Sequence, residues 1–218
     1  MGEAGQVSVI ARGPADFLVN GPEGGRRVVL AHGAGAPMDS GFMEAFAEGL
    51  AGGGLRVLRF EFAYMRGRRS EGRKRPQNAQ AALLQEWRDV VAELGGGEGL
   101  VIGGKSMGGR MASMVADELG CRGLVCLGYP FHAPGPYGKA RIAHLETLQT
   151  PALILQGTRD SFGGPNEVNG YPLSPAVRVH WLADGDHDFK PRKQSGRAQR
   201  ENWDEGIAAV VEFVRGLE

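Results

Sequence analysis

The stretch Leu100-Val101-Ile102-Gly103-Gly104-Lys105-Ser106-Met107-Gly108-Gly109-Arg110 decides how this chain is read. Leu100 to Ile102 is a short apolar run ending in glycine, the signature of a strand buried on both faces. Met107 to Leu119 reads as a helix. Between them Gly104-Lys105-Ser106-Met107-Gly108 matches Gly-x-Ser-x-Gly. In a chain with 36 glycines, chance alone yields about 0.2 such matches. The pattern therefore takes its meaning from position. Directly after a strand and directly before a helix, it describes a nucleophile elbow, a tight turn that exposes a serine hydroxyl. Gly104 and Gly108 leave room for that turn, because side chains there would collide across it.

Outward from this turn the same rhythm repeats. Val28 to Ala31, Leu55 to Phe62, Leu124 to Leu127, Ala152 to Leu155 and Val177 to Leu182 read as strands. Phe42, Phe46 and Leu50 recur at helical spacing. Leu83, Trp87, Val90 and Leu94 form one helical face, and Ile207, Val210, Val211 and Val214 another. Ala63 to about Pro76 is expected to be a loop, and a short helix is expected near Arg141 to Leu148. Val7 to Ile10 is expected to pair as an antiparallel edge. Alternating strands and helices give the α/β class, a mainly parallel central sheet with helices on both faces. No composition shift marks a boundary, so residues 1–218 are expected to form one domain.

Composition narrows the function. Lys+Arg and Asp+Glu balance at 25 each, which gives no expectation of a nucleic-acid or anionic membrane partner. No apolar run reaches the roughly 18 residues that span a bilayer. Met1 to Ile10 lacks the pattern of a secretion signal, and a cytoplasmic location is expected. Cys121 and Cys126 read as buried apolar residues rather than a disulfide.

In a parallel sheet, ligands bind beyond the carboxyl ends of the strands. A serine hydroxyl needs a base there. Of five histidines, only His187 is both late in the chain and beyond a strand end, in Ala183-Asp184-Gly185-Asp186-His187-Asp188. The base needs an acid to orient its ring, and the chain order of such sites is Ser, then Asp or Glu, then His. Asp160 follows the strand at Ala152 through Gln156-Gly157-Thr158-Arg159, with Glu167 as runner-up. Two backbone amides should hold the developing oxyanion: that of Met107, and that of Ala34 in the loop His32-Gly33-Ala34-Gly35, where Gly33 or Gly35 could also serve. His32 is read as a brace for that loop.

Several motifs together resemble one family. They are His32-Gly33-Ala34-Gly35-Ala36, Arg59-Phe60-Glu61-Phe62-Ala63-Tyr64-Met65, Gly103 to Arg110, Leu127-Gly128-Tyr129-Pro130-Phe131-His132, Gln156 to Gly163 and Asp184-Gly185-Asp186-His187. This set is similar to the α/β-hydrolase family of testis-expressed protein 30. That family lies close to the dienelactone hydrolase-like group and includes the third subunit of the NSL histone-acetyltransferase complex. The match covers about residues 28 to 190. It implies an α/β-hydrolase fold and a serine hydrolase with the same triad. Ala63 stands where the family is expected to carry proline, and Ser106 replaces the cysteine of dienelactone hydrolase.

The expected activity is hydrolysis of a small ester or thioester through an acyl-enzyme, with neither metal nor organic cofactor. The alternative is a scaffold or binding protein that kept the fold, as the NSL subunit's place in a complex illustrates. The interval from Tyr129 to Ala152 leaves room for a loop and one short helix, hence a minimal lid. Tyr129, Phe131, His132 and Tyr137 are the candidates to line the substrate pocket. The run Arg66, Arg68, Arg69, Arg73, Lys74 and Arg75 reads as a solvated surface, with attraction of an anionic substrate or partner as its functional alternative. The oligomeric state is open.

Overall fold

A computed structural model describes residues 8–11, 16–73, 75–133 and 138–217. The strands are β1 Ser8–Ala11, β2 Asp16–Asn20, β3 Arg27–Ala31, β4 Arg56–Phe60, β5 Leu100–Lys105, β6 Gly123–Leu127, β7 Ala152–Gly157 and β8 Val177–Leu182. The helices are α1 Gly41–Gly52, α2 Ala63–Glu71, α3 Gln80–Glu93, α4 Met107–Ser113, α5 Pro165–Val168 and α6 Gln199–Arg215. The strands form one eight-stranded sheet in the order β1-β2-β4-β3-β5-β6-β7-β8. β1 and β2 are antiparallel to their neighbours, and β3 to β8 run parallel. This is the α/β-hydrolase arrangement expected from the sequence.

The central parallel strands β3, β5, β6 and β7 are largely apolar because both faces are covered. On one face α2, α3 and α4 pack Met65, Leu83, Trp87 and Met111 against Val29, Ile102, Leu124 and Ile154. On the other, α1 and α6 pack Phe46, Leu50, Val210 and Val214 against Val28, Leu30, Val101 and Leu155. Trp87 and Phe46 are wholly buried, and each such side chain contributes about 1.5–3 kcal/mol. The strand β5, which leads directly into Ser106, lies between β3 and β6, fixed on both edges and both faces.

Three local expectations are corrected. The basic stretch after Ala63 is helical rather than a loop through Glu71. Its conformation is set by non-local pairing: Ala63 N–H donates to Glu86 at 2.7 Å, and Arg69 binds Glu61. The stretch from Arg141 to Leu148 forms turns, not a helix. Only one turn closes within it, with Leu145 and Glu146 N–H on the Ile142 carbonyl, while Arg141 N–H goes to the Phe131 carbonyl and Ser174 N–H to that of Leu145. The helix after Ser106 ends at Ser113, where Met114 and Val115 bond three residues back and tighten the chain. β2 was not anticipated, while the antiparallel edge was, one residue later than expected. Cys121 and Cys126 are buried free thiols whose pKa burial raises, Cys121 to about 12. Among the described residues no helix is long and apolar enough to cross a membrane.

Candidate active site

Ser106 sits between β5 and α4 with φ 51° and ψ −113°. A non-glycine residue at positive φ costs on the order of 1–3 kcal/mol and persists only where its surroundings enforce it. Here they do. The Ser106 N–H donates to the Leu127 carbonyl and the Ser106 carbonyl accepts from Arg110 N–H, both at 3.0 Å. A Cβ on Gly104 would lie 2.1 Å from the Ala31 carbonyl oxygen, and one on Gly108 2.6 Å from those of Ala31 and His32. The glycines expected to permit the turn thus let the end of β3, at Ala31 and His32, close on it.

The structure brings Asp160 and His187 to this serine from the ends of β7 and β8. Asp160 is buried, and its Oδ2 lies 2.8 Å from His187 Nδ1. The same oxygen accepts from Gln156 Nε2 at 3.0 Å, and Oδ1 accepts from Phe162 N–H at 2.9 Å. With the Nδ1 proton given to the carboxylate, Nε2 is left as acceptor for the Ser106 hydroxyl, 2.9 Å away. The Phe162 ring, 4.5 Å from the imidazole centroid, covers it. The loop carrying His187 is anchored to α6. Asn202, fully buried, donates to the carbonyls of Ala183 and Phe189, and Trp203 Nε1 donates to that of Asp188. Glu167, the runner-up acid, lies instead on α5, bonded by Tyr171 and paired with His132.

Two participants escaped the sequence. Lys105, just before the serine, is buried, and its Nζ donates to the His187 carbonyl at 2.6 Å. The ammonium lies 3.2 Å from Asp188 Oδ1 and over the rings of Phe42 and Phe189. Burial lowers its pKa, while Asp188, Asp160 and Asp186 act to raise it. Gln156, also fully buried, accepts from Tyr129 N–H while donating to Asp160, and so fixes the carboxylate relative to β6. The only hint was a polar side chain inside each apolar strand.

The amides of Met107 and Ala34 are the candidate oxyanion donors. Met107 opens α4, so its N–H is one of the donors a helix start leaves without an intrahelical acceptor. Ala34 lies in a loop held by side chains. Wholly buried His32 accepts Phe62 N–H on Nε2 at 3.1 Å, so its proton is on Nδ1 and is donated to the Gly33 carbonyl at 2.6 Å. The Tyr64 hydroxyl donates to the Ala34 carbonyl at 3.2 Å. Desolvation lowers the His32 pKa, which keeps the ring neutral in this bracing role.

The residues expected to line a pocket sit differently. Tyr129 and Phe131 are fully buried, and the Tyr129 hydroxyl donates to the Arg141 carbonyl at 2.9 Å. Both pack the core beneath the site rather than an accessible wall. His132 is partly buried against Glu167, 3.3 Å away. Tyr137 lies outside the described residues, as does Lys74. In the basic run, Arg69 pairs with Glu61 and Asp39, Arg75 with Glu71, and Arg66 with Glu86. Arg68 lies over the Tyr64 ring. Most of these cations are thus engaged within the molecule. Among the described residues no group of three or more His, Cys, Asp or Glu is placed to hold a metal ion.

Residues 24–215 match the family model described as the alpha/beta hydrolase domain. The chain belongs to that family. Among solved structures, it is similar to a serine hydrolase without a lid from Xanthomonas campestris, with a TM-score of 0.66 at 18% identity over 99% of this chain and 95% of that one. An esterase domain from a Rhodothermus marinus protein superposes with a TM-score of 0.66 at 14% identity over 96% and 98%. A thioesterase domain from the curacin biosynthetic pathway gives 0.62 at 13% identity over 98% and 99%. At such identities these likenesses speak to the fold.

Proposed function

We propose that the protein is a serine hydrolase acting on a small ester or thioester. The carrying observation is the unbroken relay from Asp160 through His187 to Ser106, with bonds of 2.8 and 2.9 Å. Ser106 Oγ attacks the acyl carbonyl while His187 Nε2 takes its proton. Asp160 holds the Nδ1–H and stabilises the imidazolium that forms. The amides of Met107 and Ala34 bind the tetrahedral oxyanion. The imidazolium then protonates the leaving group, and a water activated by the same nitrogen releases the acyl group. The chemistry asks for neither metal nor organic cofactor. The esterase and thioesterase domains among the structural neighbours point to the same reaction class.

On this reading residues 1–218 act as one hydrolase domain of the testis-expressed protein 30 and NSL subunit type, located in the cytoplasm and needing no nucleic acid or membrane. A fluorophosphonate probe should label Ser106, and Ser106→Ala should lower ester turnover on the order of 10⁵-fold or more. No labelling of folded protein, under conditions that label a control hydrolase, would overturn the reading.

A further inference from the structure

Among the cations at the carboxyl end of the sheet, Arg110 stands apart. It lies one helical turn after Ser106, its amide bonded to the serine carbonyl. Helical side chains lean toward the helix start, which for α4 is the serine itself. The guanidinium reaches Gln80, the first residue of α3, with Nη2 3.0 Å from Oε1. Its Nε is buried with no hydrogen-bond partner. No carboxylate pairs with it among the described residues; burial weighs most against its charge, Tyr129 acts to favour it, and a second cation, Arg141 on the stretch after β6, acts against it. The Arg141 side chain likewise has no ion pair among the described residues. Desolvating a guanidinium beside another cation is unfavourable unless an anion completes the arrangement. The fork of an arginine fits carboxylate or phosphate oxygens two at a time.

The side of the sheet narrows the ligand further. His187 is tethered to α6, on the face built from α1 and α6. Arg110 belongs to α4 and touches α3, on the opposite face. The leaving group must lie within reach of His187 Nε2 to receive its proton, which leaves the α3–α4 side, where Arg110 stands, open to the acyl chain.

We propose that Arg110, assisted by Arg141, forms an anion subsite for the acyl chain, so that the preferred substrates are esters or thioesters of acyl groups ending in a carboxylate or phosphoryl group. This rests on the hydrolase reading for its place in catalysis, but the binding of an anion does not.

The test compares two para-nitrophenyl esters, the hemiester of glutaric acid and its neutral valeryl counterpart. Wild type should favour the charged ester in kcat/KM. Arg110→Met should reduce that ratio about tenfold or more, and Arg110→Lys should restore part of it. Added salt should erode the wild-type ratio. In parallel, thermal melts with glutarate and with inorganic phosphate measure anion binding without turnover, and the stronger stabiliser identifies the terminal group. If neither ester is hydrolysed but glutarate or phosphate stabilises wild type and not Arg110→Met, the subsite stands and the hydrolase reading falls. A wild-type ratio near one, or a ratio that Arg110→Met leaves intact, overturns the subsite. So does the absence of both turnover and anion stabilisation. Should Arg110→Met fail to fold, the wild-type ratio, its salt dependence and Arg110→Lys decide.

Discussion

Two loops converge on Ser106, and charge plays a different part in each. The loop carrying His187 is anchored to α6 by Asn202 and Trp203 and surrounded by charge: buried Lys105, Asp186, Asp188 and the relay carboxylate of Asp160. The loop carrying Ala34 is braced chiefly by neutral groups, a buried imidazole and a phenol whose pKa burial pushes up to about 12, with the Arg68 guanidinium 3.4 Å from the Ala34 carbonyl as its one charged contact of the three. The difference follows from what each loop is asked to do. The imidazole must become a cation during reaction, so negative charge around it is useful in advance. The amide of Ala34 must meet an oxyanion, and a negative brace beside it would oppose that charge. Charge therefore dominates one arm, and shape dominates the other.

Removing the charge from the first arm should cost most. Asp160→Asn keeps the volume but turns the bond to His187 Nδ1 from charged to neutral and permits the wrong tautomer. Turnover should fall about 10⁴-fold with little change in KM. A loss below tenfold in steady-state kinetics would break the contrast between the arms. Lys105→Met is the next step down. It keeps an apolar stem between Phe42 and Phe189 but removes the donor to the His187 carbonyl. Expected is about a tenfold drop in kcat, no change in KM, and partial rescue by Lys105→Arg. If Lys105→Met lowers only the melting temperature, the lysine supports the fold and not the geometry of His187.

The sequence foreshadowed the first arm better than the second. Ser106, Asp160 and His187 each follow a strand whose apolar run is visible, and chain order selects among the carboxylates. The bracing role of His32 was legible too, because it falls in the loop after the first buried strand. Lys105 and Gln156 were not: the His187 carbonyl that Lys105 binds lies 82 residues on, and although Gln156 is four residues from Asp160, its anchor on Tyr129 N–H lies 27 residues away with no local pattern to link them. The helix α2 was hidden for a similar reason. It lacks an apolar stripe, and its order comes from Glu61, Asp39 and Glu86, all of which lie outside the helix. Tyr129 and Phe131 misled because aromatic residues after a strand suit a pocket wall and a core equally.

The gentlest way to probe the second arm is to charge its brace with acid. The folded-state pKa of His32 lies below 6.5 because burial disfavours the imidazolium, and that of His144, beside Ser113 and Tyr129, is lowered to about 4 by burial and by Arg110. In the unfolded chain both groups titrate near 6.5. Between the two values the unfolded state binds more protons, so stability rises with pH across that window. The stability both neutral rings contribute is complete above 6.5 and is lost as the pH falls. Each proton accounts for at most about 1.4 kcal/mol per pH unit. Urea midpoints measured between about pH 6.5 and pH 5, above the range where ordinary carboxylates titrate, should therefore decline with acid. His144→Asn should remove one share of that slope and leave the share of His32. A flat midpoint over the window in the His144→Asn protein would show that His32 accepts a proton without disturbing the loop. The shape-based account of the oxyanion arm would then fail, because a protonated Nε2 cannot accept the Phe62 N–H that holds the ring.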